Sequence, residues 1–260
     1  MQARAHAGRL SSHLADQIEA QTRDPDWTLA HYTFVASVTT LASECDIAHS
    51  PAMSVASSHA VPRLNLAFIG ESAELLANYT TFLISQSSEI ELMVDEAQRV
   101  VAEQAFKVLN KEPQWQMVFR GDLDVLDAGQ TTELADNDLQ AMQALAKSEK
   151  VELRFTTRDP FQQGPAFGIW EGRRLIAMGV TNLRLPGVVQ IGNVVATKMA
   201  SEHLYIAAIV SALVKAHAER MKVFYIIAQQ DETTVELLET LGFVRERPMY
   251  RMCCVLKEGV

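Results

Sequence analysis

The period of the apolar positions changes several times along the chain, and each change predicts an element. Residues 9–22 and 27–45 read as two helices. Asp24-Pro25-Asp26 separates them, with Asp26 as the cap of the second. The stretch 48–62, rich in Ser, Ala, His and Pro, reads as a loop or a short strand between loops. Leu64 to Ile69 is a short apolar run that ends at Gly70 and suits a strand. A helix follows over 72–85, a strand over 90–94, and a helix over 96–110 with Val100, Val101, Ala105, Val108 and Leu109 on one side. Residues 115–119 complete the alternation as a third strand, which argues for an α/β layer architecture.

The polar, acidic stretch 121–129 is the expected domain boundary, giving domains over 1–124 and 125–260. Beyond it come a short strand and a helix that starts near Asp136 to Asp138, where carboxylates favour a helix N-terminus. Residues 151–165 are irregular. Three strands follow over 166–170, 174–185 and 188–195, joined by turn signals at Glu171-Gly172 and Pro186-Gly187. The pattern then gives a helix over 201–220, with Tyr205, Ile209, Ala212, Leu213 and Ala216 on one apolar face. The unbroken apolar run 223–228 fits a strand buried on both sides. Asp231 is placed to cap a helix carrying Val235, Leu238 and Leu241, Gly242 stops it, and a last strand runs over 249–256.

Composition narrows the class. Of 260 residues, 48% are hydrophobic and 21% charged, which supports a core without a metal or disulfide staple. A net charge of -9 with no dense basic run argues against a nucleic-acid partner. Cys45, Cys253 and Cys254 are an odd set without C-x-x-C spacing, and read as reduced packing residues. No secretory h-region follows the slightly basic start, and no run of about 18 apolar residues predicts a membrane span, so a cytoplasmic protein is expected. There is no G-x-G-x-x-G, no Walker loop, no G-x-S-x-G elbow, and no metal spacing among the histidines.

Read together, residues 131–260 give strand, helix, three-strand meander, helix, strand, helix, strand. Three stretches carry family text: GPAFGIWEGRRLIAMG, VQIGNVVATKMASEHLYIAAIVSALV and VFYIIAQQDETTVELLETLGF. The chain resembles the GNAT superfamily of acyl-CoA N-acyltransferases through this half. The strand-helix repeats at 64–119 are similar to the degenerate GNAT-like half that precedes the active one in some members. The resemblance implies an α/β (α+β) fold: a mixed, mostly antiparallel sheet with flanking helices, preceded by a second, smaller α/β half. It implies acetyl transfer from acetyl-CoA, as cosubstrate, to the amine of a small-molecule or amino-acid-like acceptor. The alternative is a catalytically inactive GNAT-fold module that binds a ligand or a protein.

The same resemblance implies the cofactor-binding positions. Gly192-Asn193 would host a bulge that splays the central strand, and the backbone of Val194, Val195 and Ala196 would receive the pantetheine arm. The pyrophosphate loop and helix start fall on Ser201, Glu202, His203, Leu204, Tyr205 and Ile206, and Asp231 takes the place of a family Asn. Glu202 and Leu204 occupy the two glycine positions, and a carboxylate there repels a phosphate. The family's acidic Tyr falls on Leu238 and its Glu base on Gln190, neither of which transfers a proton. Tyr205 and Tyr225 are expected near the cleft, and Glu171 and Asp159 in turns or loops. No catalytic residue and no metal is assigned.

Overall fold

In a computed structural model of the chain the described residues are 12–39, 45–50, 52–58, 64–83, 89–155, 157, 159–198 and 202–257. They form two compact units. Residues 1–114 and 247–260 make the first, and residues 115–246 the second. The division thus falls ahead of the 121–129 stretch expected to hold it, and the last strand returns to the first unit.

The first unit begins with α1 (Ser12–Gln21), α2 (Pro25–Ala30) and α3 (Tyr32–Thr39). Asp24, not Asp26, caps α2: its carboxylate accepts the Asp26 N–H at 2.9 Å. Pro25 takes the first helical position, where a missing N–H costs nothing. The helix expected over 27–45 is two, because α2 stops at His31, whose ring stacks on Trp27 with centroids 4.6 Å apart. The stretch 48–62, read as a loop or a short strand between loops, holds the short strand β2 (Met53–Ser58), which pairs in a hairpin with β1 (Cys45–Ser50). Its small residues are core: Ala48, Val55, Ala56 and Ser57 are all buried.

Next come β3 (Leu64–Gly70), α4 (Ala73–Leu83), β4 (Ile90–Asp95) and α5 (Glu96–Ala105). A capping box starts α5: Asp95 accepts the Gln98 N–H at 2.9 Å, and Gln98 accepts the Asp95 N–H at 3.2 Å. The helix expected to reach residue 110 ends at Ala105, because Phe106 is fully extended and buried. Lys257 closes that end by donating to the carbonyls of Glu103 and Gln104. Val100 and Leu109, read as lying on one side of that helix with Val101 and Ala105, are 43% and 49% exposed. Strand β5 therefore runs over Phe106–Phe119, starting well before Trp115.

The second unit holds β6 (Thr132–Leu134), α6 (Leu139–Glu149), β7 (Ala166–Glu171), β8 (Arg174–Leu185) and β9 (Val188–Ala196). It continues with α7 (Glu202–His217), β10 (Lys222–Ala228), α8 (Glu232–Thr240) and the start of β11 (Phe243–Leu256). Gly242 does stop α8: at φ +93° it donates its N–H to the Glu239 carbonyl at 3.0 Å. A Cβ there would sit 2.6 Å from the Cα of Gly121, so both conformation and space demand glycine. Strand β11 begins immediately after it, earlier than the residue 249 read from the pattern.

Strands are hydrogen-bonded in the order β1-β2-β3-β4-β11-β5 in the first unit and β5-β10-β9-β8-β7-β6 in the second. The pairing is mixed and mostly antiparallel; β3 with β4 and β9 with β10 are parallel. Each unit runs through three antiparallel strands, a helix, a strand parallel to the third, a helix and a strand. In the second unit α7 packs Ile209, Val210, Leu213 and Val214 against Ile176, Ala177, Val189 and Ile191. Gly179 makes that approach possible, since a Cβ would lie 2.5 Å from Ile209. Helix α6 covers the other side with Met142, Leu145 and Ala146 against Met178, Val180 and Val195.

Candidate functional site

The sequence VVQIGNVVA builds β9, and its β-branched residues bury Val188, Val189, Ile191 and Val195. Its neighbour β10 pairs with it in parallel at four positions, from Lys222↔Val188 to Tyr225↔Ile191. There the pairing ends, while β9 continues to Ala196 and β10 to Ala228. Beyond Ile191 the two strands part, and the main chain along the gap is not joined strand to strand.

The cause lies in the other edge of β9. Met178 pairs with Val195 and Val180 with Gly192, so β9 carries one extra residue in that interval. Thr181 pairs with Ile191 and Leu183 with Gln190, so β8 carries one extra in the next. The β9 bulge includes Asn193 at φ +48°, a left-handed conformation that Asn tolerates better than most side chains. Its carboxamide accepts the Arg154 N–H at 2.9 Å and donates to the Arg154 carbonyl at 2.8 Å. A side chain thus mimics a strand partner and holds the segment after α6 beside the bulge.

The parted strands enclose a cleft of about 330 Å³. Val194, Val195 and Ala196 line it from β9, and Tyr225, Ile226, Ile227 and Ala228 from β10. Glu202 and Ile206 face it from the first turns of α7, Asp231 and Thr234 from the start of α8, and Glu149, Val151 and Lys198 complete it. Asp231 caps α8 by accepting the Thr234 N–H at 3.2 Å. Burial pushes the Tyr225 phenol well above the ordinary range and nearby Asp231 adds to this, while a hydrogen bond from the Val194 backbone opposes it. That contact spans the gap between the two strands.

Six of the ten residues expected to bind the cofactor therefore share one cleft: Val194, Val195, Ala196, Glu202, Ile206 and Asp231. His203 is exposed, Leu204 is 72% exposed, and neither lines the cleft. Tyr205 packs against the core of the second unit instead, and Ser201 lies outside the described residues. Leu238 is fully buried in the same core. Asp159 accepts the Phe161 N–H at 2.9 Å and Glu171 lies at the β7–β8 turn; neither reaches the cleft. The pattern gave no sign of Glu149, Val151 and Lys198, which converge from separate stretches of chain.

No family model matches the sequence, and no curated protein matches it. Solved structures do match. A Drosophila protein superposes with a TM-score of 0.66 at 15% identity, over 98% of this chain and 99% of that one. An acetyltransferase of the GNAT family from Colwellia psychrerythraea gives 0.63 at 12% identity, over 97% and 100%. A GCN5-related N-acetyltransferase from Kribbella flavida gives 0.63 at 12% identity, over 88% and 97%. At these identities the likeness is one of fold, and the chain has a GNAT-like fold.

Proposed function

We propose that the second unit is an acyl-CoA N-acyltransferase that moves an acetyl group from acetyl-CoA to the amine of a small-molecule or amino-acid-like acceptor. The observation that carries this is the parting of β9 and β10 after Ile191 and Tyr225. Main-chain groups of Val194 to Ala196 that face away from β8 have no β10 strand partner and are offered to the amides of a pantetheine arm, with the Tyr225 hydroxyl on Val194, while Ile206, Ile226 and Ile227 supply apolar wall. Recognition through the main chain survives side-chain change, which fits a site whose surrounding text has drifted.

In the reaction the acceptor nitrogen attacks the thioester carbonyl. A C–N bond forms, the C–S bond breaks, the ammonium proton passes to a base, and the thiolate takes up a proton. Tyr225 is the candidate donor of that last proton: it lines the cleft, burial keeps it neutral, and its oxygen takes the hydrogen bond from Val194. Glu149 is the candidate base: it lines the cleft, and its carboxylate accepts the Ser148 hydroxyl at 3.3 Å rather than capping a helix as Asp231 does.

The second reading is an inactive GNAT-fold module that binds a ligand or a protein. The Tyr225–Val194 contact across the gap and the Glu202 carboxylate at the α7 start favour it. We infer, too, that the first unit is a worn copy of the same plan. There β3 and β4 pair only at Leu64↔Ile90 and Asn65↔Glu91, and the Gln98 amide donates to the Phe68 carbonyl at 2.8 Å, occupying main chain that a ligand would need.

Thiol release from acetyl-CoA in the presence of a panel of amines, with a thermal-shift titration alongside, tests the proposal. Amine-dependent release supports transfer. A shift without release supports the second reading, because a ligand that binds only the folded chain raises its melting temperature. Neither shift nor release at millimolar acetyl-CoA defeats the enzyme.

A further inference from the structure

The walls of the cleft and its charged groups point to different parts of a thioester donor. Along the parted strands the lining is main chain and apolar side chains, from Val194 to Ala196 and from Ile226 to Ala228. That matches a neutral arm of amide and methylene groups. Among the described residues, the charged side chains that line the same cleft are Glu149, Glu202 and Asp231 against the single cation Lys198. A nucleotide end would bring several phosphate charges into an excess of carboxylates.

The start of α7 sharpens the contrast. A helix N-terminus carries a partial positive charge that attracts anions. Here the first turn holds Glu202, whose own carboxylate uses that partial charge. A side chain at this position also keeps a phosphate from the close approach that glycine would allow. In the same first turn, Leu204 is 72% exposed, an apolar group where a polyphosphate would need polar partners. His203 is exposed and does not line the cleft.

We infer that this protein recognises its donor through the acyl-pantetheine arm and gains nothing from the adenosine phosphates beyond it. The donor class is then any acyl-pantetheine thioester, whether the arm ends in a free nucleotide or is tethered to a carrier protein. The inference rests on the acyltransferase reading above and narrows its donor.

The test compares three acetyl donors with one acceptor amine: acetyl-CoA, acetyl-pantetheine, and an acetylated phosphopantetheine arm on an acyl carrier protein. Remote, non-reacting parts of a substrate supply binding energy only where the protein touches them, so kcat/KM for acetyl-pantetheine is expected within about fivefold of that for acetyl-CoA. A carrier-tethered arm used faster than both identifies the tethered source, and equal use of all three identifies the free ester. Glu202→Lys is expected to move the ratio of the two free donors about tenfold towards acetyl-CoA, by supplying the charge the wild type withholds. Preference of the wild type for acetyl-CoA by more than about a hundredfold overturns the inference while leaving the acyltransferase intact. A ratio unmoved by Glu202→Lys overturns it too, and turnover of no donor at all is a failure of the acyltransferase reading itself.

Discussion

The carboxamide nitrogen of Asn193 lies 3.2 Å from the carboxamide oxygen of Asn182, and the hydrogen bond between them ties together the two bulges of the β8–β9 pair. One bulge adds a residue to β9 and the other adds one to β8, so the register is restored by the time Leu183 meets Gln190. Between them β9 bends without losing its partner on that side. On its other side it loses β10, and the cleft opens there.

Asn193 carries two separable loads. Asn193→Gly keeps the left-handed backbone but loses the bonds to Arg154 and Asn182, whereas Asn193→Ala loses the bonds and strains the backbone as well. The Ala variant is expected to be less stable than the Gly variant by about 1 kcal/mol, the usual cost of a left-handed non-glycine residue. Urea unfolding of both variants measures this. Equal midpoints would mean that the positive φ is not under strain.

Tyr225→Phe keeps the ring in the cleft and removes only the hydroxyl. If that hydroxyl protonates the leaving thiolate, kcat is expected to fall about a hundredfold, the low end for a positioned proton donor. The melting temperature and KM for acetyl-CoA should change little. A rise in apparent affinity with kcat unaltered would instead identify the hydroxyl as a competitor for the Val194 N–H.

Placing at position 238 the tyrosine that the GNAT resemblance puts there is expected to fail. Leu238 is fully buried beside Val235 and Phe243, so Leu238→Tyr overpacks the core and costs about 1–3 kcal/mol. Its hydroxyl would be buried in an apolar cluster rather than delivered to the cleft. A variant with higher thiol-release activity and an unchanged melting temperature would show that α8 sits differently from the arrangement described.

Stability should fall at alkaline pH. Burial pushes the thiols of Cys45 and Cys254 up to about 12 from an ordinary 9.0, and the Tyr32 and Tyr225 phenols move in the same direction. Between those values the unfolded chain has lost protons that the folded one still holds, so the stability present below pH 9 is lost as pH rises towards 12. Urea midpoints at about pH 8.5 and about pH 10.5 should differ, and Cys45→Ala with Cys254→Ala should shrink the difference. No change in slope in the double variant would mean that the thiols do not contribute.

Much of the second unit is legible in the sequence because its signals are local. Turn glycines, a run such as VFYIIA, the Asp231 cap and the Gly242 stop each act within one element. The hairpin at 45–58 is not, because its small and polar residues give little strand signal of their own and are packed beside Ile18, Phe34 and Val38, which are distant in sequence. The same holds for the site. The bulge is readable from Gly192-Asn193, but the Arg154 backbone that Asn193 grips is 39 residues away. The Glu202 carboxylate is readable as a poor neighbour for phosphate; its sharing a cleft with Glu149 and Lys198 is a product of tertiary packing.

The most direct test is a crystal soaked in acetyl-CoA. The thioester and its pantetheine arm should lie between Val194–Ala196 and Ile226–Ala228, with the Tyr225 hydroxyl displaced from the Val194 N–H or shared with the donor. Density for the donor elsewhere on the chain, with the gap beside Ile191 and Tyr225 unchanged and empty of it, would contradict the account.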